Sequence, residues 1–306
     1  MTHAGEEYGT YVKVIEKAAG SFEEISSSVE TGLMSVGWEV LGKYDTGVPD
    51  GCEFHSRVIV FSSKLYGASI MKNGVKSAFA LPLRASIYED ETGINVAVVN
   101  PSSINRTIIH ETKLNDSSPS ATESVVDSIA KYVSGDFVKK QTGQLRKKGK
   151  IGGMGGGNFI GKIEEIHIAG DDSDDTLKKV AGNVKRGILD NKKEWQLIYA
   201  YDMSDYGVVI FGVTNNQMER RAFTIAGEKR SSSSYKYPGI DHGAAFPIEV
   251  IVYKDEGKVK VVTLDGMYRM KLYFEDTGIW AFMKNMSMPG EIEDEIVEMS
   301  MSKLKE

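Results

Sequence analysis

The chain has 306 residues, 41% of them hydrophobic and 26% charged, and at this size it can bury roughly three quarters of the surface its unfolded form exposes, without disulfide or metal staples. A single cysteine, Cys52, excludes an internal disulfide and any multi-cysteine metal site and fits a reducing compartment. The net charge of −6 argues against a general nucleic-acid binder, which carries a basic footprint.

In chain order, 1–10 read as a lead-in and Tyr11-Val-Lys-Val-Ile-Glu-Lys as a strand, with Val12 and Val14 on one face. Ser21 is a candidate N-cap ahead of Glu23 and Glu24, whose charges suit the first turn of a helix. Phe22, Ile25, Val29, Leu33 and Val36 then form an amphipathic stripe that Gly37 stops. A strand from Trp38 to Asp45 follows, then a turn rich in Gly, Pro and Asp, then the wholly apolar strand Val58-Ile-Val-Phe. From Ala80 to Pro101 two apolar runs flank a polar tip, which predicts a β-hairpin. Ser118-Pro119 opens a last helix with Val126, Ile129 and Val133 on its apolar face.

The same order recurs after residue 158. Phe159-Ile-Gly-Lys-Ile-Glu-Glu-Ile matches the first strand. Leu177, Val180, Val184 and Ile188 match the helix stripe, with Gly187 at the place of Gly32. Trp195 to Asp202 lines up with Trp38 to Asp45, Val208-Val-Ile-Phe with Val58-Ile-Val-Phe, the hairpin Ala245–Gly266 with Ala80–Pro101, and Pro289 with Pro119. The prediction is two repeats of β-α-β-β-β-β-α, an α+β fold with antiparallel sheets and helices on one face. The first repeat spans 1–138 and the second 158–306, with 139–157 as a basic, Gly-rich, flexible linker. The second repeat also holds an inserted loop, 226–243, and a Met- and aromatic-rich segment, Met267 to Met288.

Val58-Ile-Val-Phe, Val208-Val-Ile-Phe and Val250-Ile-Val are apolar at consecutive positions, so both faces of these strands are expected to be covered. The helices cover one face. The companion repeat, a second subunit or an apolar ligand covers the other. The more apolar first strand of the second hairpin marks the second half as the more deeply covered.

Chemical motifs give little. Gly156-Gly-Asn-Phe-Ile-Gly-Lys-Ile imitates a phosphate loop, but Ile163 stands where Ser or Thr belongs and no apolar strand precedes it. Asp90-Glu91 and Asp255-Glu256 stand at hairpin tips, where turn chemistry asks for acids. The five histidines show no ligand spacing and no nucleophile motif is present. Accordingly no catalytic residue, metal ligand or cofactor is assigned. Binding candidates are Tyr201 and Asp202 at the end of a strand, His242 in the divergent loop, and Met267, Tyr268, Met270, Trp280 and Met283 in the Met-rich segment, because Met is common on adaptable binding surfaces.

With these blocks in place each half resembles the domain of unknown function 302 family. The likeness rests on the helix stripe from Phe22, the strand from Trp38, the Ala-x-Pro hairpin with its acidic turn, its Asn100-Pro101 or Asp265-Gly266 close, and Tyr273-Phe-Glu-Asp-Thr-Gly. The resemblance implies a TATA-binding-protein-like topology and a tendency to dimerise, so that a tandem chain is an intrachain pseudo-dimer. Some members carry a Cys-Asn-Pro segment after the third strand; here Ser62-Ser-Lys and Gly212-Val-Thr replace it. The family brings no catalytic residues with it, and fold does not assign function.

The expectation is a non-catalytic binding or accessory protein, acting through a protein partner or subunit, or an apolar small ligand, at its second repeat. The alternative is an enzyme or small-molecule sensor with a site in the cleft between repeats. Nucleic acid is not expected as a partner. The apolar runs are strand-sized, too short for a bilayer span, and the N-terminus has no signal-peptide pattern, so a cytoplasmic location is expected.

Overall fold

The structure is a computed structural model that describes residues 7–109, 117–146, 151–153, 155–227, 238–278, 283 and 285–304. The first repeat runs β1 (Tyr11–Ala18), α1 (Phe22–Ser35), β2 (Glu39–Asp45), β3 (Ser56–Ser62), α2 (Lys64–Met71), a short 3-10 helix (Val75–Ala80), β4 (Leu83–Asp90), β5 (Gly93–Val99), α3 (Pro101–Ile108), α4 (Ser118–Tyr132) and β6 (Asp136–Thr142). The second runs β7 (Ile163–Ile168), α5 (Asp174–Leu189), β8 (Gln196–Met203), β9 (Val208–Thr214), α6 (Asn216–Gly227), a 3-10 helix (Ile240–Ala245), β10 (Ile248–Asp255), β11 (Lys258–Leu264), α7 (Gly266–Phe274) and α8 (Ser287–Met301). The shared strands and the first and last helices of each repeat stand where the hydrophobic pattern predicts them. Helices α2 and α6 between the third and fourth strands, and α3 and α7 after the hairpins, are not expected from that pattern.

Both sheets are antiparallel, in the orders β2-β3-β4-β5-β1-β6 and β7-β11-β10-β9-β8. Irregularities recur at matching places: β1 slips against β5 between Lys13 and Ile15, and β7 slips against β11 where Glu165 gives way to His167. Likewise β2 bulges between Val40 and Gly42, and β8 between Leu197 and Tyr199. A bulge re-aims a strand locally, so repeated bulges indicate the same local geometry built twice.

Local signals explain the helices. Ser21 and Glu24 close a capping box at α1, which satisfies two backbone donors that the helix leaves open. Helix α1 meets α4 at Gly32, where a Cβ would fall 2.8 Å from the Ser128 carbonyl oxygen. Gly187 brings α5 against the Met299 carbonyl of α8 in the same way. The two tryptophans also repeat: Trp38 donates to Ser124 Oγ at 3.2 Å and Trp195 to Glu295 at 2.9 Å.

The companion repeat covers the second face of each sheet. The 3-10 helix at 75–80 lies against β9 and β10, the one at 240–245 against β3, β4 and β5, and β2 runs beside β8. Contrary to the expected asymmetry, β4 and β10 are buried over the same six leading positions, because each sheet is covered by its counterpart.

The described part of the linker, 139–146, 151–153 and 155–157, is not the flexible tether expected. Residues 139–142 belong to β6, and Arg146 is buried, donating to Thr10 Oγ1 and to the Lys271 and Leu272 carbonyls near the end of α7. Ile151 is buried as well. The expected inserted loop is in part ordered structure: α6 extends to Gly227 and a 3-10 helix begins at Ile240, while 228–237 lie outside the described residues. Among the described residues no helix is long and apolar enough to cross a membrane.

Candidate functional site

The repeats differ most where α6, α7 and α8 meet. In the first repeat the corresponding helices α2, α3 and α4 are tied by polar groups: Asn105 donates to Tyr66 Oη at 3.1 Å and to Ser118 Oγ at 2.8 Å, while Tyr66 donates to the Ala80 carbonyl at 2.8 Å. Thr122 meets Ser102 Oγ at 3.0 Å. Aligning Ala80 with Ala245 puts Met270 at the place of Asn105, and aligning Pro119 with Pro289 puts Met288 and Ile292 at those of Ser118 and Thr122. The positions of Asn105, Ser118 and Thr122 are thus all apolar in the second copy. Side chains that cannot bond no longer draw the helices shut, and a pocket of about 50 Å³ opens between them.

Ala222 and Ile225 of α6, Phe246 and Ile248 ahead of and on β10, Met270 and Phe274 of α7, and Met288, Pro289 and Ile292 of α8 supply its apolar wall. Polar side chains come from Arg269 and Thr277 alone among the described residues, and the Thr277 hydroxyl already donates to the Phe274 carbonyl at 2.7 Å. Arg269 is 6% exposed. Its Nη2 donates to the Ala245 carbonyl and, at 3.1 Å, to that of Pro247, while Nε has no acceptor among the described residues. The guanidinium lies over the rings of Phe246 and Tyr273, 5.2 Å from each centroid, which offsets part of the cost of burying a cation.

Behind the pocket lies a polar seam between the repeats. Buried Arg84 of β4 donates to Glu249 of β10 at 2.5 Å and to the Ala244 carbonyl at 3.0 Å, and its guanidinium also lies over Tyr273, 5.1 Å from the ring centroid. Burial works against the Arg84 charge, but Glu249, Tyr273 and Tyr199 together outweigh it and hold the group protonated. The Tyr11 hydroxyl of β1 reaches across to the Tyr273 carbonyl at 2.9 Å. Glu219 of α6 is wholly buried and is reached from the other repeat by Tyr44 Oη at 2.7 Å and the Gly47 amide at 2.5 Å, with Thr214 Oγ1 at 2.6 Å. Burial pushes its carboxyl up and these donors pull it down, with burial the stronger.

The sequence candidates do not form one site. His242 belongs to the seam, its Nδ1 3.1 Å from Asp241 and its Nε2 3.1 Å from Asp276, stacked on Phe274 at 5.3 Å. Burial opposes its charge, but the two carboxylates override it and push the pKa up to about 10. An imidazolium with both nitrogens engaged has no lone pair for base or metal-ligand work. Strand alternation separates Tyr201, which is buried and points toward Gly67 of the first repeat, from Asp202, which is exposed and caps a turn by accepting from the Ser204 amide at 2.8 Å.

Met267 packs on the linker at Gly155, and Tyr268 is buried against Phe159. Met283 is exposed, and Trp280 lies outside the described residues. Of the candidates among the described residues, Met270 alone lines the pocket. Arg269, Ala222, Ile225 and Ile292 were missed; the available signal was a charged residue next to Met270 inside a Met- and aromatic-rich helix. Among the described residues no three His, Cys, Asp or Glu side chains gather where a metal ion could sit.

Comparison with known proteins bears on the first repeat. Residues 14–132 match the family model described as domain of unknown function DUF302. One similar solved structure is the crystal structure of uncharacterized conserved protein DUF302 from Bacillus stearothermophilus, 11% identical, covering 41% of this chain and 98% of its own, with a TM-score of 0.34. No curated protein matches. The second copy rests on the shared order of strands, bulges and helix contacts described above.

Proposed function

We propose that this is a non-catalytic binding protein whose ligand, a small and mainly apolar molecule, occupies the pocket between α6, α7 and α8. The observation that carries this reading is the contrast between repeats. The same three-helix junction is closed by Tyr66, Asn105, Ser118 and Thr122 in one copy and is open and apolar in the other. Concave, largely apolar sites with few polar groups are typical of small-molecule binding. Catalysis is disfavoured by what lines the pocket: a guanidinium is permanently protonated and exchanges no protons near neutral pH, and the neighbouring His242 is locked between two carboxylates.

The test is ligand-induced thermal stabilisation of the full chain across short aliphatic alcohols, amides, amines and carboxylates. A ligand at 100 times its Kd adds about 2.7 kcal/mol, a shift of a few degrees at this chain length. Ala222→Phe, which fills the pocket, is expected to abolish the shift while leaving the circular dichroism unchanged. The reading fails if no class stabilises the chain, or if the filled variant responds as the parent does.

A further inference from the structure

We infer that the occupant is a short aliphatic carboxylate, its tail among Ala222, Ile225, Met270, Met288 and Ile292 and its head on the Arg269 guanidinium. This inference rests on the pocket reading and adds the chemical class of its ligand.

Charge is imbalanced around Tyr273. Two arginines converge on Tyr273 from opposite repeats, their guanidinium carbons 5.1 Å and 5.2 Å from its ring centroid. Both are buried, at 2% and 6% exposure. Arg84 has a direct carboxylate partner in Glu249. Arg269 has none within ion-pair distance among the described residues; its acceptors are the neutral carbonyls of Ala245 and Pro247. Burial accordingly pushes Arg269 below the ordinary arginine range, whereas Arg84 is raised. A buried cation is costly unless paired, and in this repeat it stands on the wall of a pocket with Nε unsatisfied.

The first repeat shows that the fold does not need a cation there, because the residue aligned with Arg269 is Ile104. Arginine at this position stabilises an anion when one enters.

Size and charge select the anion. A space of about 50 Å³ takes an apolar tail of roughly three to five carbons, since one water-sized group needs about 10–15 Å³ on the same measure. A phosphate monoester brings a charge of about −1.5 to −2 and three acceptor oxygens, more than one guanidinium can satisfy. A carboxylate brings a single charge and accepts well from arginine.

The experiment is calorimetric titration of the full chain with hexanoate, hexanamide, hexanol and hexyl phosphate. Hexanoate is expected to bind at least about tenfold more tightly than hexanamide, the gain of a charge-assisted hydrogen bond over a neutral one. Arg269→Gln is expected to erase that difference while retaining hexanamide binding. If hexanamide or hexanol equals hexanoate, the carboxylate assignment is overturned and the apolar pocket stands; preference for hexyl phosphate overturns it equally. Binding of none of the four sinks the pocket reading itself. Should Arg269→Gln fail to fold, the ranking of the four ligands on the parent protein decides alone.

Discussion

His242 illustrates how a residue that looks functional in sequence becomes structural once its neighbours are known. Histidine beside Gly243 in a divergent loop suggested a site; the folded chain instead encloses it with Asp241, Asp276, Tyr11 and Phe274. None of these contacts except Asp241 is near in sequence, so the role was not legible there. The physical consequence is a pH dependence of stability. The folded pKa, about 10, lies above the ordinary value of 6.5. Its contribution is therefore fully present below about pH 6.5 and is lost as pH rises toward 10. Asp276, held below its ordinary value because His242 outweighs the cost of burial, contributes in the opposite sense, with stability lost on acidification below about pH 4. Urea unfolding from pH 6.5 to 10 should show a falling stability in the parent. His242→Gln should cost about 3 kcal/mol at pH 6.5 and lose most of that alkaline slope. An unchanged slope in the variant would assign the pH dependence elsewhere.

At the scale of elements, periodicity identifies what a single amphipathic face specifies and misses what the opposite repeat supplies. Helices α1, α4 and α5 carry clean stripes and were found. Helix α2 is eight residues long with Gly67 inside it, too short and too interrupted to announce itself. Helix α6 contains Glu219, Arg220 and Arg221 and reads as polar; its Glu219 is buried because Tyr44 and Gly47 arrive from the first repeat. The crossing of β2 and β8 is similarly invisible in sequence. Gly42 sits at the β2 bulge, and a Cβ there would overlap the Ile198 carbonyl oxygen. That neighbour is backbone of another strand and cannot rotate aside. Gly42→Ala should therefore cost about 1–3 kcal/mol in urea unfolding. A neutral substitution would mean that the two strands part easily and that the seam contributes less than its burial implies.

The whole molecule pairs two halves of matching layout, and the pairing is chemically directional. Arg84 and Glu249 are equivalent positions when Ala80 is aligned with Ala245, yet they form a buried ion pair across the seam. Two copies of the first repeat related by the same arrangement would set Arg84 against Arg84, and two of the second would set Glu249 against Glu249. Like charges buried face to face cost several kcal/mol, so the ion pair selects one copy of each. The two-fold layout is readable from sequence because the hydrophobic pattern repeats. The complementarity is not, since it depends on which aligned positions meet, and only the packed sheets determine that. Glu249→Arg should destabilise the chain by about 3–5 kcal/mol, as expected for breaking a buried pair. Arg84→Glu combined with Glu249→Arg should recover part of that loss, with a coupling of at least about 1 kcal/mol in a double-mutant cycle. Recovery stays incomplete because Arg84 also donates to the Ala244 carbonyl, at 3.0 Å, a bond that glutamate cannot make. A double variant no more stable than the two single losses added together would show that geometry alone, without this charge pair, holds the repeats in their order.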